Sequence, residues 1–383
     1  MLDYETLKVI WWVLIGVLLI GFAIADGMDM GVGMLLPFLG KTDTERRVII
    51  NAVAPHWDGN QVWFVTAGGA IFAAWPSVYG AAFSGFYLAM LLVLTALFLR
   101  PVGFDYRSKL ENPRWRNSWD WGLFVGGTVP ALVFGVAFGN LLQGVPFHFD
   151  SFLVPHYEVS FILGLLGLLN PYGLLAGLIS VAMLAAHGAI WLQLRTDDVV
   201  AERAKGALTI LAPAVTVLFA LAGVWLYFTG IGYHISSGMP HDAMPNPLTK
   251  TVIKSAGAWF DVYSRSPATM LIPLVGLLAP LVALAFAKGN RPGWAFIFSS
   301  LAMAGIISTA GVSMFPFIMP SSTNPNSSLT VWDASSSHLT LTVMFFVAVV
   351  FVPIVLAYTI WAYSAMWGKI TVKGIEERSH EVY

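Results

Sequence analysis

Nine apolar stretches, near residues 9–30, 50–74, 79–99, 119–141, 171–194, 207–228, 268–287, 293–314 and 339–363, decide what this chain can fold into. Most reach the roughly 20 residues an α-helix needs to cross a bilayer. Inside hydrocarbon every backbone N–H and C=O must be satisfied within the protein, so such stretches become helices. The expected fold is an all-α polytopic membrane protein, one integral-membrane domain over residues 1–383. Only 11% of the 383 residues are charged and 57% are hydrophobic, a balance no soluble chain of this length sustains.

The second stretch carries polar insertions, and without it the count falls to eight. Lysine and arginine placement separates the two cases. With nine helices, one side holds Lys41, Arg46, Arg47, Arg100, Arg107, Lys109, Arg114, Arg116, Arg195, Arg203, Lys205, Lys288, Arg291, Lys369, Lys373 and Arg378. The other keeps Lys8, Lys250, Lys254 and Arg265. With eight, Arg46 and Arg47 would have to be external. Nine helices are therefore expected, with the N-terminus periplasmic and the C-terminus cytoplasmic.

Several chemistries drop out at once. The chain has no cysteine, so disulfides, thiol nucleophiles and cysteine-held metals are excluded. No basic cluster points to nucleic acid. The start, "MLDYETLKVIWW", is acidic where a signal peptide would be basic, and the first apolar run reads as a retained helix. "SFILGLLGLLNPYG" reads as an outer-interface segment, after which Asn170 caps and Pro171 opens the fifth helix.

The second stretch, "NAVAPHWDGNQVWFVTAGGAIFAAW", raises the functional question. Pro55 cannot donate its amide and invites a bend. Asp58 falls about ten residues along the helix, roughly 15 Å deep. Such a carboxylate marks an ion or proton route, or else is a shallow capped group in a tilted helix. His56 reads as a hydrogen-bond partner. In "ADGMDMGVG", Asp26 and Asp29 share a helical face, and Gly27 with Gly31 forms a small-xxx-small pair. They are either a polar entry from the cytoplasm or solvated acids at a helix end. In "LFLRPVGFDYRSK", Arg100 is expected to snorkel, Pro101 to end the helix, and Asp105, Tyr106 and Arg107 to form a surface turn. Asp333 or the serines after it should cap the last helix. His187 and His338 read as satisfied core or interface histidines. A transporter, a channel and a redox-complex subunit all remain open on these residues, the transporter using Asp58 as its coupling carboxylate.

A resemblance narrows the choice. "DYETLKVIWWVLIGVLLIGFAIADGMDMGVGMLLPFLG", "KTDTERRVIINAVAPHWDGNQVW", "VTAGGAIFAAWPSVYGAAFSGFY", "LRPVGFDYRSK", "GVAFGNLLQGVPF", "NPYGLLAGL", "MFPFIMPSS" and "SLTVWDASSSHLTLTVM" resemble, in order, subunit II of the cytochrome bd-type ubiquinol oxidases. Met28 departs from the aromatic residue expected between the two aspartates. The resemblance implies two four-helix bundles plus one peripheral helix, in the bacterial inner membrane. It implies an enzyme that oxidises quinol at the outer face and reduces oxygen to water with cytoplasmic protons, without pumping. Two b-type haems and one d-type haem would sit in subunit I, the main partner, with small single-helix accessory subunits alongside. Within this chain it implies a proton path through Asp58, Asp26 and Asp29, and an oxygen channel lined by Trp63. A structural ubiquinone would lie near Trp57 and Arg100.

Overall fold

The computed structural model describes residues 2–157, 161–238 and 240–377; Ser160 and Arg378, used above, lie outside them. Helix α1 (Tyr4–Leu39) is followed by α2 (Asp43–Asn51), α3 (Trp57–Ala74), α4 (Pro76–Gly85), α5 (Tyr87–Tyr106) and α6 (Pro113–Gln143). After a short helix α7 (Phe161–Leu168) come α8 (Pro171–Arg195) and α9 (Asp198–Thr229). A five-residue helix α10 (Asp261–Arg265) precedes α11 (Leu271–Lys288), α12 (Pro292–Met314), α13 (His338–Ala365) and α14 (Val372–Glu377). Three antiparallel hairpins fold the connections: β1 (Phe147–Phe149) with β2 (Pro155–Tyr157), β3 (Tyr233–Ser237) with β4 (Thr251–Lys254), and β5 (Phe317–Met319) with β6 (Leu329–Thr330).

Among the described residues, eight helices are long and apolar enough to cross a membrane: α1, α5, α6, α8, α9, α11, α12 and α13. The polytopic all-α fold is therefore present. The second apolar stretch is divided. Helix α2 stops at Asn51, a turn covers residues 52–56, and α3 begins at Trp57. The break goes beyond a bend at Pro55: His56 N turns to the Val53 carbonyl, so the Ala52 carbonyl leaves the ladder and accepts from Trp191 Nε1 of α8 at 2.9 Å. Helix α3 then returns antiparallel to α1. Asn60 meets Asp29, and Trp63 lies where a side chain on Gly21 would stand.

The stretch expected at 79–99 is also two helices, broken at Phe86. Tyr157 of β2 presses against Gly85, where a Cβ would stand 2.5 Å from its hydroxyl, and donates to the Ala81 carbonyl. Pro101 does not end its helix, since α5 continues to Tyr106. At α8, Asn170 accepts from the Gly173 amide at 2.8 Å with Pro171 in the first turn, as the sequence suggests. At α13 the cap is Ser337, accepting from Thr340 N. Asp333 instead binds Thr330 and, at 3.0 Å, Lys250.

Small residues set the closest packing. A Cβ on Gly31 of α1 would lie 2.0 Å from the Leu184 carbonyl of α8, and one on Gly188 2.4 Å from the Gly31 carbonyl carbon. Gly127 of α6 likewise meets the Met30 backbone. Helices without a hydrophobic drive between them associate through such close approach. Helix α13 is the opposite case: Leu341 is its one buried residue.

Candidate functional site: a buried carboxylate cluster

Asp26 and Asp29 lie in the interior of α1, ten or more residues before its end, and are 0% and 1% exposed. They are not solvated acids at a helix end. The helix outruns its expected limit because "GVGMLLPFL" stays helical through Pro37. Arg100 of α5 holds Asp26 with Nη1 to Oδ2 at 2.8 Å and Nη2 to Oδ1 at 2.5 Å. Its guanidinium is buried and paired, not snorkelling, because α5 packs this face against α6 and the side chain reaches Asp26 on α1.

Asp29 has no such clamp. Its Oδ2 accepts from Asn60 Nδ2 at 2.8 Å and sits 3.9 Å from Arg100 Nη2; its Oδ1 is 3.7 Å from His56 Nδ1 and has no hydrogen-bond partner. Asn60 also contacts His56 Nδ1 at 3.2 Å and accepts from the Tyr363 hydroxyl of α13 at 2.5 Å. His56 stacks on Tyr363, with centroids 4.8 Å apart, and meets Trp191 edge-on at 5.4 Å. Five helices thus converge on one desolvated polar cluster. It holds two carboxylates against one arginine, and a net buried charge of that kind is costly unless a proton joins it.

Asp58 does not join this cluster. It is exposed, whereas Asn60 is buried, because two residues along a helix turn the side chain to roughly the opposite face. Burial within this chain therefore does not act on Asp58, contrary to the expectation from its depth. Trp57 packs on Phe104 at 5.6 Å, and the Trp63 ring packs against Gly21 on α1. The sequence reading missed Asn60 and Tyr363 as members of the cluster. Asn60 had a readable signal, standing one turn after His56 on the same face. Tyr363 had none, being 303 positions away.

Towards the α5–α6 connection, Arg107 is buried and not part of a surface turn. It donates to Asp120 (Nε to Oδ1, 2.5 Å) and to Asp43 (Nη2 to Oδ1, 2.9 Å), while Arg46 reaches Asp120 at 2.6 Å. Asp105 and Tyr106 are exposed as expected. Of the histidines, His187 is satisfied by Ser299 (2.7 Å) and the Ile24 carbonyl (3.1 Å), and His338 contacts the Leu2 carbonyl at 3.0 Å.

Among the described residues, no group of three or more histidine, aspartate or glutamate side chains is arranged to hold a metal. With both ring nitrogens engaged, His187 is a poor axial ligand. An apolar cavity of about 570 Å³ lies between α1, α3, α6, α8, α9, α10, α11 and α12, lined by side chains that include Phe22, Phe134, Phe138, Tyr172, Tyr263 and Ser313. Neither Trp57 nor Arg100 lines it.

The sequence model of one family, described as cytochrome bd terminal oxidase subunit II, matches residues 7–366. The chain belongs to the cytochrome bd oxidase subunit II family. It is 57% identical over the full length of both chains to the cytochrome bd-I ubiquinol oxidase subunit 2 of Escherichia coli strain K12. It is 32% identical to the cytochrome bd ubiquinol oxidase subunit 2 of Bacillus subtilis, over 95% of this chain and 97% of that one. A solved chain of the bd oxidase from Geobacillus thermodenitrificans superposes with a TM-score of 0.68, covering 95% of this chain and all of that one at 16% identity, which speaks for the fold alone. None of these relatives speaks for a transporter.

Proposed function

We infer that the chain works as subunit II of a cytochrome bd-type ubiquinol oxidase in the bacterial cytoplasmic membrane, partnered by a haem-bearing subunit I. The match over residues 7–366 carries that reading. The bd-type complex oxidises quinol and reduces oxygen to water, and its two b haems and d haem belong to subunit I. They supply the electron-transfer and oxygen chemistry. This chain contributes no complete active site.

Nine crossings suit the packing, with α3 counted as a span and the N-terminus outside. Helices α1, α3, α5 and α6 form one bundle, α8, α9, α11 and α12 the other, and α13 lies at the periphery as the ninth. The single domain covers residues 1–383, with lipid, quinol and small single-helix subunits as further partners.

The proton role rests on the buried charge count. Asp26 and Arg100 neutralise each other, so Asp29 is the group free to take and release a proton. Asp58, exposed at the first turn of α3, lies on a face that subunit I would cover, and there it would link this cluster to the oxygen-reducing side. Trp63, packed on Gly21, would line oxygen access. A structural ubiquinone fits the apolar cavity of about 570 Å³ better than the surroundings of Trp57 and Arg100, since that volume is within the range of small-molecule sites.

The test uses the intact complex in proteoliposomes. Asp29→Asn and Asp58→Asn should each slow oxygen consumption and proton uptake together while haem content stays normal. Unchanged uptake in both variants would remove this chain from the proton path.

A further inference from the structure

The Asn60 amide lies between the His56 ring and Asp29. Its carbonyl accepts from Tyr363, and its nitrogen faces both Asp29 Oδ2 and His56 Nδ1. With the Asn60 amide donating to Nδ1, the neutral His56 ring carries its hydrogen on Nε2. That nitrogen is buried and unpartnered, and so is Asp29 Oδ1. The basic lone pair of Nδ1 and the free carboxyl oxygen are 3.7 Å apart. Few rearrangements are needed to put one proton between them.

The other groups at the site are engaged: the Ala52 carbonyl faces the His56 ring and accepts from Trp191 Nε1. Asp26 and Arg100 satisfy each other. Arg195 of α8 binds the Met366 carbonyl and lies over the Trp191 and Trp367 rings. Tyr363 donates to Asn60.

Tyr363 is also the boundary. One ring face stacks on His56, and the residue lines a surface groove of about 430 Å³ with Thr359, Ile360, Ser364 and Trp367. The helix that carries it is thinly held along its length.

We propose that Asp29 and His56 share one exchangeable proton, and that Tyr363 is the door through which it enters from the groove at the C-terminal end of α13, independently of Asp58. The proposal rests on the reading of this subunit as part of the proton path. The step moves a proton and no electrons. A hydronium ion in the groove protonates His56 at Nδ1 as the Asn60 contact is released. The new N–H then passes its proton to Asp29 Oδ1, and the imidazole returns to neutral.

The measurement is infrared difference spectroscopy on the intact oxidase, following hydrogen–deuterium exchange of the Asp29 carboxylic-acid C=O stretch, with only haem-replete variants compared. Asp29→Asn should delete the band. His56→Gln should slow its exchange by on the order of 10²-fold, the scale of a lost positioned proton carrier. Tyr363→Phe, which keeps the stack and loses the latch to Asn60, should speed exchange several-fold, and Tyr363→Ala more so. Should His56→Gln fail to assemble, the Tyr363 variants still decide. No Asp29 band, or exchange indifferent to Tyr363, would overturn the proposal. If exchange behaves as expected while Asp29→Asn leaves proton uptake unchanged, the site stands and the wider proton-path reading falls.

Discussion

Arg100 grips Asp26 through both terminal nitrogens, at 2.8 and 2.5 Å, with the side chains 2% and 0% exposed. Removing one member of such a pair strands a buried charge, which costs about 3–5 kcal/mol, whereas replacing both is often close to neutral. Arg100→Leu should therefore deplete the assembled, haem-loaded complex in membranes. Asp26→Asn combined with Arg100→Gln should recover most of it. Haem content per milligram of membrane protein measures both, and an Arg100→Leu complex at normal yield would contradict the pairing.

Acid should loosen α2. Burial works against the Glu45 charge, but Arg203 and the amides of Lys41 and Thr42 outweigh it and hold the carboxyl below its ordinary value of 4.5. A lowered carboxylate contributes stability that is complete above the unfolded value and is lost as pH falls through the folded one. Protection of the α2 amides, taken relative to their intrinsic exchange rate, should fall as pH drops below about 4.5. In Glu45→Gln the exchange should be faster at neutral pH and lose this acid step. An acid step that survives the substitution would assign it to another group.

How much of this was readable beforehand follows the physics of each signal. Span positions were legible because hydrocarbon demands long apolar runs, and Asn170–Pro171 because a cap and its proline are local. The bend at Pro55 was legible, but its widening into a break over residues 52–56 and the break at Phe86 were hidden, since each depends on a distant partner: Trp191 for the Ala52 carbonyl, Tyr157 for Gly85 and Ala81. Arg100 was misread for the same reason. A basic residue near a helix end usually reaches water, and only the pair with Asp26 of α1, far away in sequence, shows that it turns inward. Asp58 shows a different limit, because depth along a helix says nothing about which face a side chain occupies.

The α1–α8 crossing should be intolerant of one methyl group. Gly31→Ala would bring its Cβ within 2.0 Å of the Leu184 carbonyl oxygen, a backbone atom that cannot rotate aside. Overpacking typically costs about 1–3 kcal/mol, and more where backbone must shift. The complex should lose thermal stability in detergent, and Gly188→Ala should do the same from the other helix. Gly206→Ala is the control, since nothing lies within 4 Å of that position. Equal melting of Gly31→Ala and Gly206→Ala would mean the helices stand further apart.

The end of the molecule that carries the three hairpins should depend on one lysine. Lys8 of α1 is fully buried and gives its three N–H groups to the carbonyls of His241 (2.8 Å), Ala243 (3.2 Å) and Trp332 (2.7 Å). Those carbonyls belong to two connections far apart in sequence, so the ammonium ties both to the start of α1. Lys8→Met keeps the apolar stem and deletes every donor. Each buried carbonyl left unsatisfied costs about 1–3 kcal/mol unless water reaches it, so the connections should open to solvent. Protease nicking between residues 238 and 246 should rise in the variant, while amide exchange in α8 and α12 stays as in the parent. Arg in place of Lys8 should restore protection only in part, because its planar fork cannot reproduce three diverging bonds from one nitrogen. Nicking unchanged in Lys8→Met would show that Trp332, stacked on His241 at 4.0 Å, is enough to hold the connection closed.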